Sequence, residues 1–322
     1  MTPAQLRAFV AIVRTGTVKQ AAAELELTEQ AVSMHVAALR KSLGDQLFTR
    51  THSGLAFTPG GLRLAARAVE ILGLQDQTVS EVGAAAGGRR TIRLASSSLF
   101  AEHAASGLID LFTKRANDLE VELSVQSPDQ FASLLASRAV DVAIGPVPRD
   151  GQLADSGHLH NAKEFLSFDL EVLAAPTHPF AQRRASPEEL ARATWNLGPS
   201  AAGAHDAIPA MITQLGVPDD RQRIFQSDAA AWEETRRGTG LTLAPTFAVR
   251  SELQAGHLTR VSGPNNHRRN TWCAMTLAHD PTRTASELMR FIGTPKAVQA
   301  MLRGSGVPVK NFRPAVYVTL WN

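Results

Sequence analysis

Cysteine and tyrosine are almost missing from this chain: each occurs once in 322 residues. The lone Cys273 excludes an internal disulfide and any thiolate-ligated zinc within one chain. Aromatic residues reach only 6%. No run of about 18 apolar residues occurs, so no membrane span is expected. The N-terminus lacks the basic start and apolar stretch of a signal peptide, so a cytoplasmic location is expected. No GxGxxG, Walker, HExxH or GxSxG pattern is found. No cofactor, no metal and no catalytic residue are therefore expected.

What is present is an ordinary globular composition. Hydrophobic residues make up 44% and charged residues 20%, enough for a sizeable core and too little charge for disorder. The length suits two or three domains. The net charge of +3 sits at one end. Residues 1–65 hold Arg7, Arg14, Lys19, Arg40, Lys41, Arg50 and Arg63 against Glu24, Glu26, Glu29 and Asp45. A positive N-terminal module on a neutral remainder fits DNA contact there. The excess is modest, so one copy should bind weakly and dimerisation would help.

The stretch Thr17 to Ser33, TVKQAAAELELTEQAVS, has the pattern of a helix-turn-helix. Thr17 can cap a helix, with Gln20 completing a capping box. Ala21 and Ala22 allow a second helix to cross closely, and Leu25 and Leu27 bracket the turn. Thr28 can cap the next helix, whose apolar stripe is Val32, Val36, Leu39 and Leu43. The other face shows Glu29, Gln30, Ser33 and Met34. A helix held this way can enter a major groove and touch base edges. Thr2-Pro3-Ala4-Gln5 starts a first helix, with Leu6, Phe9, Val10 and Val13 as its stripe. Gly44 ends the recognition helix. Leu47-Phe48, a turn at Ser53-Gly54 and Leu55-Ala56-Phe57 make a wing, on which Arg50 and His52 face the duplex. Thr58-Pro59 opens a long helix.

These motifs make the chain resemble a LysR-type transcriptional regulator over nearly its whole length. The matching segments are LRAFVAIVRTGTVKQAAAEL, Ala31-Val32-Ser33, LGDQLFTR and FTPGG. The chain departs at Glu29-Gln30, where the family usually has Gln-Pro or Gln-Ser, and at Met34 and Leu39-Arg40. The resemblance implies a winged helix-turn-helix over 1–58, and a linker and dimerisation helix with a hinge over 59–88. It implies an α/β effector-binding domain over 89–302, built of two periplasmic-binding-protein-like subdomains joined by two crossover strands. The first would hold 89–162 and 268–302, the second 163–267. The tail 303–322 lies beyond the pattern and stays unassigned. The implied partners are an operator in double-stranded DNA, further copies in a homodimer or homotetramer, and a small-molecule effector. RNA polymerase is left open.

The residues themselves alternate strand and helix from Thr91 onward, which argues a parallel sheet with covering helices. Strands are read at Ile92-Leu94, Val121-Val125, Val140-Ile144, Leu170-Ala174, Trp195-Leu197, Ile224-Phe225 and Thr271-Leu277. Helices are read across Ala101–Lys114 and from a cap at Thr284. Ligands of such sheets sit where strand ends meet helix starts. The candidates are Ser96, Ser97 and Ser98; Ser127; Gly145 and Pro146; Gly198, Ser200 and Ala201; Ser227; and Thr246. Any one serine there is most often only a cap; six such loops facing one cleft favour a site. No loop brings an arginine cluster, so a small acid or a neutral metabolite is expected. The competing reading, an enzyme or small-molecule-binding protein with an accessory N-terminal domain, would lean on Cys273 or on histidines such as His103, His158, His160 and His178. It leaves Thr17 to Ser33 without a use.

Overall fold

The computed structural model describes residues 1–51, 54–115, 118–147, 160–202, 206–279 and 281–303. His52, Ser53, His158 and His205 lie outside the described residues, as does the tail from 304. The chain divides into two compact units. One is Met1–Gly88 with Ala136–Ala139; the other is Arg89–Leu135 with all that is described from Val140 onward. No described helix is long and apolar enough to cross a membrane.

The first unit opens with α1 (Pro3–Thr15), started by a complete Thr2–Gln5 capping box with proline in its first turn. Helix α2 (Val18–Glu24) is capped by Thr17, which accepts from the Gln20 amide. The expected capping box is incomplete, because the Gln20 side chain takes the Thr17 hydroxyl instead of the Thr17 amide. Ala21 and Ala22 are buried, which lets the helices cross closely. Helix α3 (Glu29–Leu43) follows, capped by Thr28 and closed by Gly44 at φ +65°. Its buried stripe is Val32, Val36 and Leu39. Leu43 is 43% exposed and does not extend it, because the helix runs past the core there. Strands β1 (Phe48–Thr51) and β2 (Gly54–Phe57) pair antiparallel as the wing. Arg40 ties α3 to the wing: its guanidinium donates to the Phe48 carbonyl at 2.7 Å and lies 4.7 Å from the Phe48 ring centre.

Helix α4 (Pro59–Ala85) starts at a crowded joint. A Cβ on Gly61 would lie 1.8 Å from the Leu47 carbonyl oxygen, and one on Gly60 2.1 Å from the Asp45 carboxylate. Only glycine fits at 61, where the clash is with backbone; at 60 the Asp45 carboxylate would have to move. Asp45 accepts from the Leu47 amide at 2.6 Å and the Thr58 hydroxyl at 2.7 Å. These bonds hold its pKa below the usual carboxylate range, the Leu47 amide most of all. Further along, Leu64, Ala65, Ala68 and Leu72 join the core formed by Phe9, Ile12 and Leu39.

The second unit begins with β3 (Arg90–Ser96), then α5 (Ser98–His103) and α6 (Ala105–Thr113). The single helix expected over 101–114 is thus two, broken at Ala104 with φ −133°. Strand β4 (Leu119–Val125) follows, then α7 (Phe131–Ala136) and β5 (Val142–Pro146). β4, β3 and β5 are parallel neighbours. Next comes β6 (His160–Ala174), one continuous strand. Leu170 therefore does not open a new strand; Phe165-Leu166 and Leu170-Ala174 belong to the same one.

The remaining elements are α8 (Pro187–Arg192), β7 (Trp195–Leu197), α9 (Ala207–Gln214), β8 (Gln222–Ile224), α10 (Asp228–Arg236), β9 (Thr242–Pro245), α11 (Arg250–Gln254), β10 (Thr259–Arg260), β11 (His267–Leu277), α12 (Arg283–Phe291) and α13 (Pro295–Arg303). The main sheet runs β10-β6-β11-β5-β3-β4, with β9 also on β6. It is mixed rather than parallel, because β11 runs antiparallel to both β5 and β6. The long pair β6 and β11 carries the chain between two α/β subdomains, and β7 pairs with β8 in the second. Trp272 lies midway along β11 and packs against Phe100, with ring centres 5.1 Å apart, and Phe168, at 4.4 Å. One apolar core therefore spans both subdomains. The cap of α12 is Thr282, which accepts from the Ala285 amide; Thr284 is buried inside the helix.

Candidate functional site

In the first unit the structure places Thr28 at the start of α3, its hydroxyl accepting from the Ala31 amide at 3.1 Å. That bond fixes the first turn. Glu29, Gln30, Ser33 and Met34 then project from the face opposite Val32 and Val36, all exposed, Met34 by 65%. An exposed methionine of that degree on an ordered helix start is a ready apolar contact surface. Arg50 lies in β1 opposite Leu55, also exposed. Glu24 pairs with Arg14, and Asp45 is held by Leu47 and Thr58, so neither acid takes it. Arg50 has no ion-pair partner among the described residues.

In the second unit the hydroxyl-bearing loops separate into two kinds. Several are spent locally. Ser127 donates to Asp129, Ser227 accepts from the Ala230 amide at 3.2 Å to cap α10, and Thr246 donates to the Asp169 carbonyl at 3.0 Å. Thr246 lines a separate cavity of about 490 Å³ with Arg250 and Arg260. Three of these loops thus engage their hydroxyls within the chain. The others stay uncommitted. Ser96, Ser97 and Ser200 are fully buried, and their hydroxyls have no hydrogen-bond partner. Ser97 precedes α5 without capping it. Ser98 is half-buried in the first turn. The turn Pro199–Ala201, with Ser200 at its centre, packs on α5, and Ala201 joins the apolar core.

Acidic residues that the sequence did not single out close this region. His103 Nε2 lies 2.6 Å from Asp228 Oδ2, and the Asp228 amide donates to Glu102 Oε1 at 2.9 Å. A Cβ on Gly198 would sit 1.6 Å from Asp228 Oδ1, so the glycine is what admits that carboxylate. Asp206 caps α9 by accepting from the Ala207 amide at 2.7 Å, and also draws on the Leu99 amide of α5. The Ser97 hydroxyl leans toward the same carboxylate without a well-formed bond. Burial pushes the Asp206 pKa up against those hydrogen bonds. Glu102 is exposed at its tip, yet its desolvation, then the neighbouring charge of Asp228, raises its pKa too. Asp206 stands just before α9 and Asp228 opens α10, while Glu102 lies within α5.

Two other candidates lose their chemistry. Burial pushes the Cys273 thiol up to about 11, so it offers no thiolate. His178 accepts from the Phe180 amide at 3.2 Å and serves as a turn cap, its pKa lowered by burial.

Comparisons with known proteins bear on both units. A model described as bacterial regulatory helix-turn-helix protein, lysR family, matches residues 3–62, and one described as LysR substrate binding domain matches residues 85–294. An uncharacterized HTH-type transcriptional regulator of Mycobacterium tuberculosis is 55% identical over 323 aligned positions, covering 100% of both chains. The RuBisCO operon transcriptional regulator of Allochromatium vinosum is 27% identical, covering 83% of this chain and 87% of that one. Among solved structures, ArgP from Mycobacterium tuberculosis superposes with a TM-score of 0.58 at 19% identity, covering 92% and 96%. Full-length CbnR complexed with its target DNA does so with 0.56 at 17%, covering 94% and 100%. These two likenesses speak to the fold. The chain belongs to the LysR family of transcriptional regulators, with an N-terminal helix-turn-helix domain for DNA and a C-terminal substrate-binding domain.

Proposed function

We propose that this regulator reads a two-fold operator through the exposed first turns of α3 and the wing, and that a small molecule held along α5 sets how tightly it does so. The observation that carries the reading is the face of α3. Its inner side is locked into a core while Glu29, Gln30, Ser33 and Met34 stand free on the outer side. Such a helix presents fixed side chains to a groove at little entropic cost. Arg50, and His52 beside it in sequence, supply the phosphate contact of the wing.

One such domain reads few bases, so two copies are needed for genomic specificity. Helix α4 supplies the seam. Ile71, Leu74, Val79 and Val82 are exposed by 42%, 45%, 67% and 66%. At about 100° per residue all four fall on one side of the helix. A contiguous apolar stripe exposed on a long helix favours pairing with a second copy. The domain limits 1–58, 59–88 and 89–302 describe this division of labour, with subdomain limits at 162/163 and 267/268.

The experiment is retardation of DNA from the region upstream of the chain's own gene, paired with sedimentation. Wild type should retard that DNA and sediment as a dimer or larger. Val79→Glu with Val82→Glu should sediment at 34.5 kDa and lose most operator affinity while keeping its helical content. A monomeric wild type that binds as tightly as any assembly would overturn the reading.

A further inference from the structure

We propose that the cleft along α5 takes a ligand bearing a positively charged nitrogen, an ammonium or amidinium group, and not a small acid. This rests on the effector reading above and narrows the class of ligand for the same site.

Three carboxylates from three elements converge on one short helix. Glu102 belongs to α5, Asp206 precedes α9, and Asp228 begins α10. Asp228 reaches His103 and Glu102; Asp206 reaches the Leu99 amide at the other end of α5. His103 is the one basic side chain set against them among the described residues, and no Lys or Arg pairs with any of the three. Asp206 and Asp228 are almost wholly buried, at 3% and 2% exposure. Asp228 and Glu102 repel one another, and each buried carboxylate is costly unless a cation joins it.

A second observation points to a ligand independently. The Ser200 hydroxyl is fully buried and without a partner, in the turn that packs on α5. Buried polar groups left so are rare and costly. An ammonium has only donors to offer. It matches carboxylate oxygens and hydroxyl lone pairs at once. A ligand carboxylate meets the reverse situation. The amide at the start of α5 that would hold it is already used by Asp206, and its charge would face three like charges. The loops set no arginine cluster against this surplus of acid.

A divalent metal is the other cation to weigh, since Glu102, His103 and Asp228 bring ligand atoms within 4.8 Å of one another. His103 Nε2 and Asp228 Oδ2 stand at 2.6 Å, a hydrogen-bond distance. Two ligands on a tetrahedral zinc, each about 2.0–2.1 Å from it, would be about 3.3 Å apart. The geometry is that of a proton shared by two residues.

The test uses the full chain, thermal unfolding and calorimetry with matched probes: 1,4-diaminobutane and benzamidine against succinate and benzoate, with zinc chloride as a separate arm. The amines should raise the unfolding temperature and bind, and the acids should not. Asp206→Asn and Glu102→Gln should each weaken amine binding about tenfold or more; the second variant, at a solvent-facing position, guards against a folding defect in the first. Binding of the acids alone, lost in Ser200→Ala, would keep the cleft and overturn the charge assignment. Amine binding indifferent to Asp206→Asn, Glu102→Gln and Ser200→Ala would overturn the cleft itself. Stabilisation by zinc alone, lost in His103→Gln, would replace the proposal with a metal centre. Failure of every amine at millimolar concentration would also overturn it.

Discussion

His103 and Asp228 stand 125 residues apart in sequence and 2.6 Å apart in space, and their contact joins α5 of one subdomain to α10 of the other. Both side chains are at least nine-tenths buried, so solvent screens the contact little. His103→Gln leaves Asp228 without its base. The expected loss is on the order of 1–3 kcal/mol. All four tryptophans, Trp195, Trp232, Trp272 and Trp321, follow residue 194. Tryptophan fluorescence during urea unfolding therefore reads the effector domain, and an unchanged midpoint would show that the pair contributes nothing.

Asp206 gives the domain a pH dependence of known sign. Its folded pKa lies above the unfolded value because burial disfavours the charge. Its stabilising balance is therefore complete below the unfolded pKa and is lost as pH rises through the folded one. Asp206→Asn keeps a helix cap and removes the charge. It should raise the unfolding temperature near pH 7.5, with the gain fading toward about pH 4. A gain that grew on acidification would contradict this.

The joint between wing and α4 predicts a contrast between two glycines. Gly61→Ala drives a methyl into the Leu47 carbonyl, and Leu47 already holds φ +62°. The expected loss is on the order of 2–4 kcal/mol, seen in far-ultraviolet dichroism as early melting of the first unit, and DNA binding goes with it. Gly83→Ala on the same helix meets nothing within 4 Å and should be neutral or gain up to about 1 kcal/mol. Equal behaviour of the two variants would refute the steric account.

On the DNA side, Arg50 and Glu29 should fail in different ways. Arg50→Ala should weaken specific and random DNA alike and reduce the salt slope by about one. Glu29→Gln should change which operators are selected, because a carboxylate accepts from cytosine while an amide suits adenine. The plainer alternative for Glu29 is a solvated residue favoured by the helix dipole. Identical selected sites for wild type and Glu29→Gln would establish that alternative.

The parts of this molecule written in local pattern were legible in sequence. Caps at Thr2, Thr17 and Thr28 lie three residues from what they bond, and the stripe of α3 repeats with the helix period. The exceptions are instructive. Leu43 keeps the period but has no core beneath it. Thr282 and Thr284 are equally good caps by composition, and only packing chose the first. β6 hid because a 15-residue crossover strand interrupted by Ser167 and Asp169 reads as two short ones. The acids of the cleft were invisible for a stronger reason. Glu102, Asp206 and Asp228 meet only through sheet topology, and no local signal records that.

Regulation requires coupling between the two ends of the chain. The direct measurement is a linked pair of titrations on the full chain: the selected operator with and without a saturating cleft-binding amine, and that amine with and without saturating operator. Each should change the affinity of the other by the same factor, on the order of 5–150-fold. An amine affinity identical in free and operator-bound protein would contradict it, whatever either site binds alone.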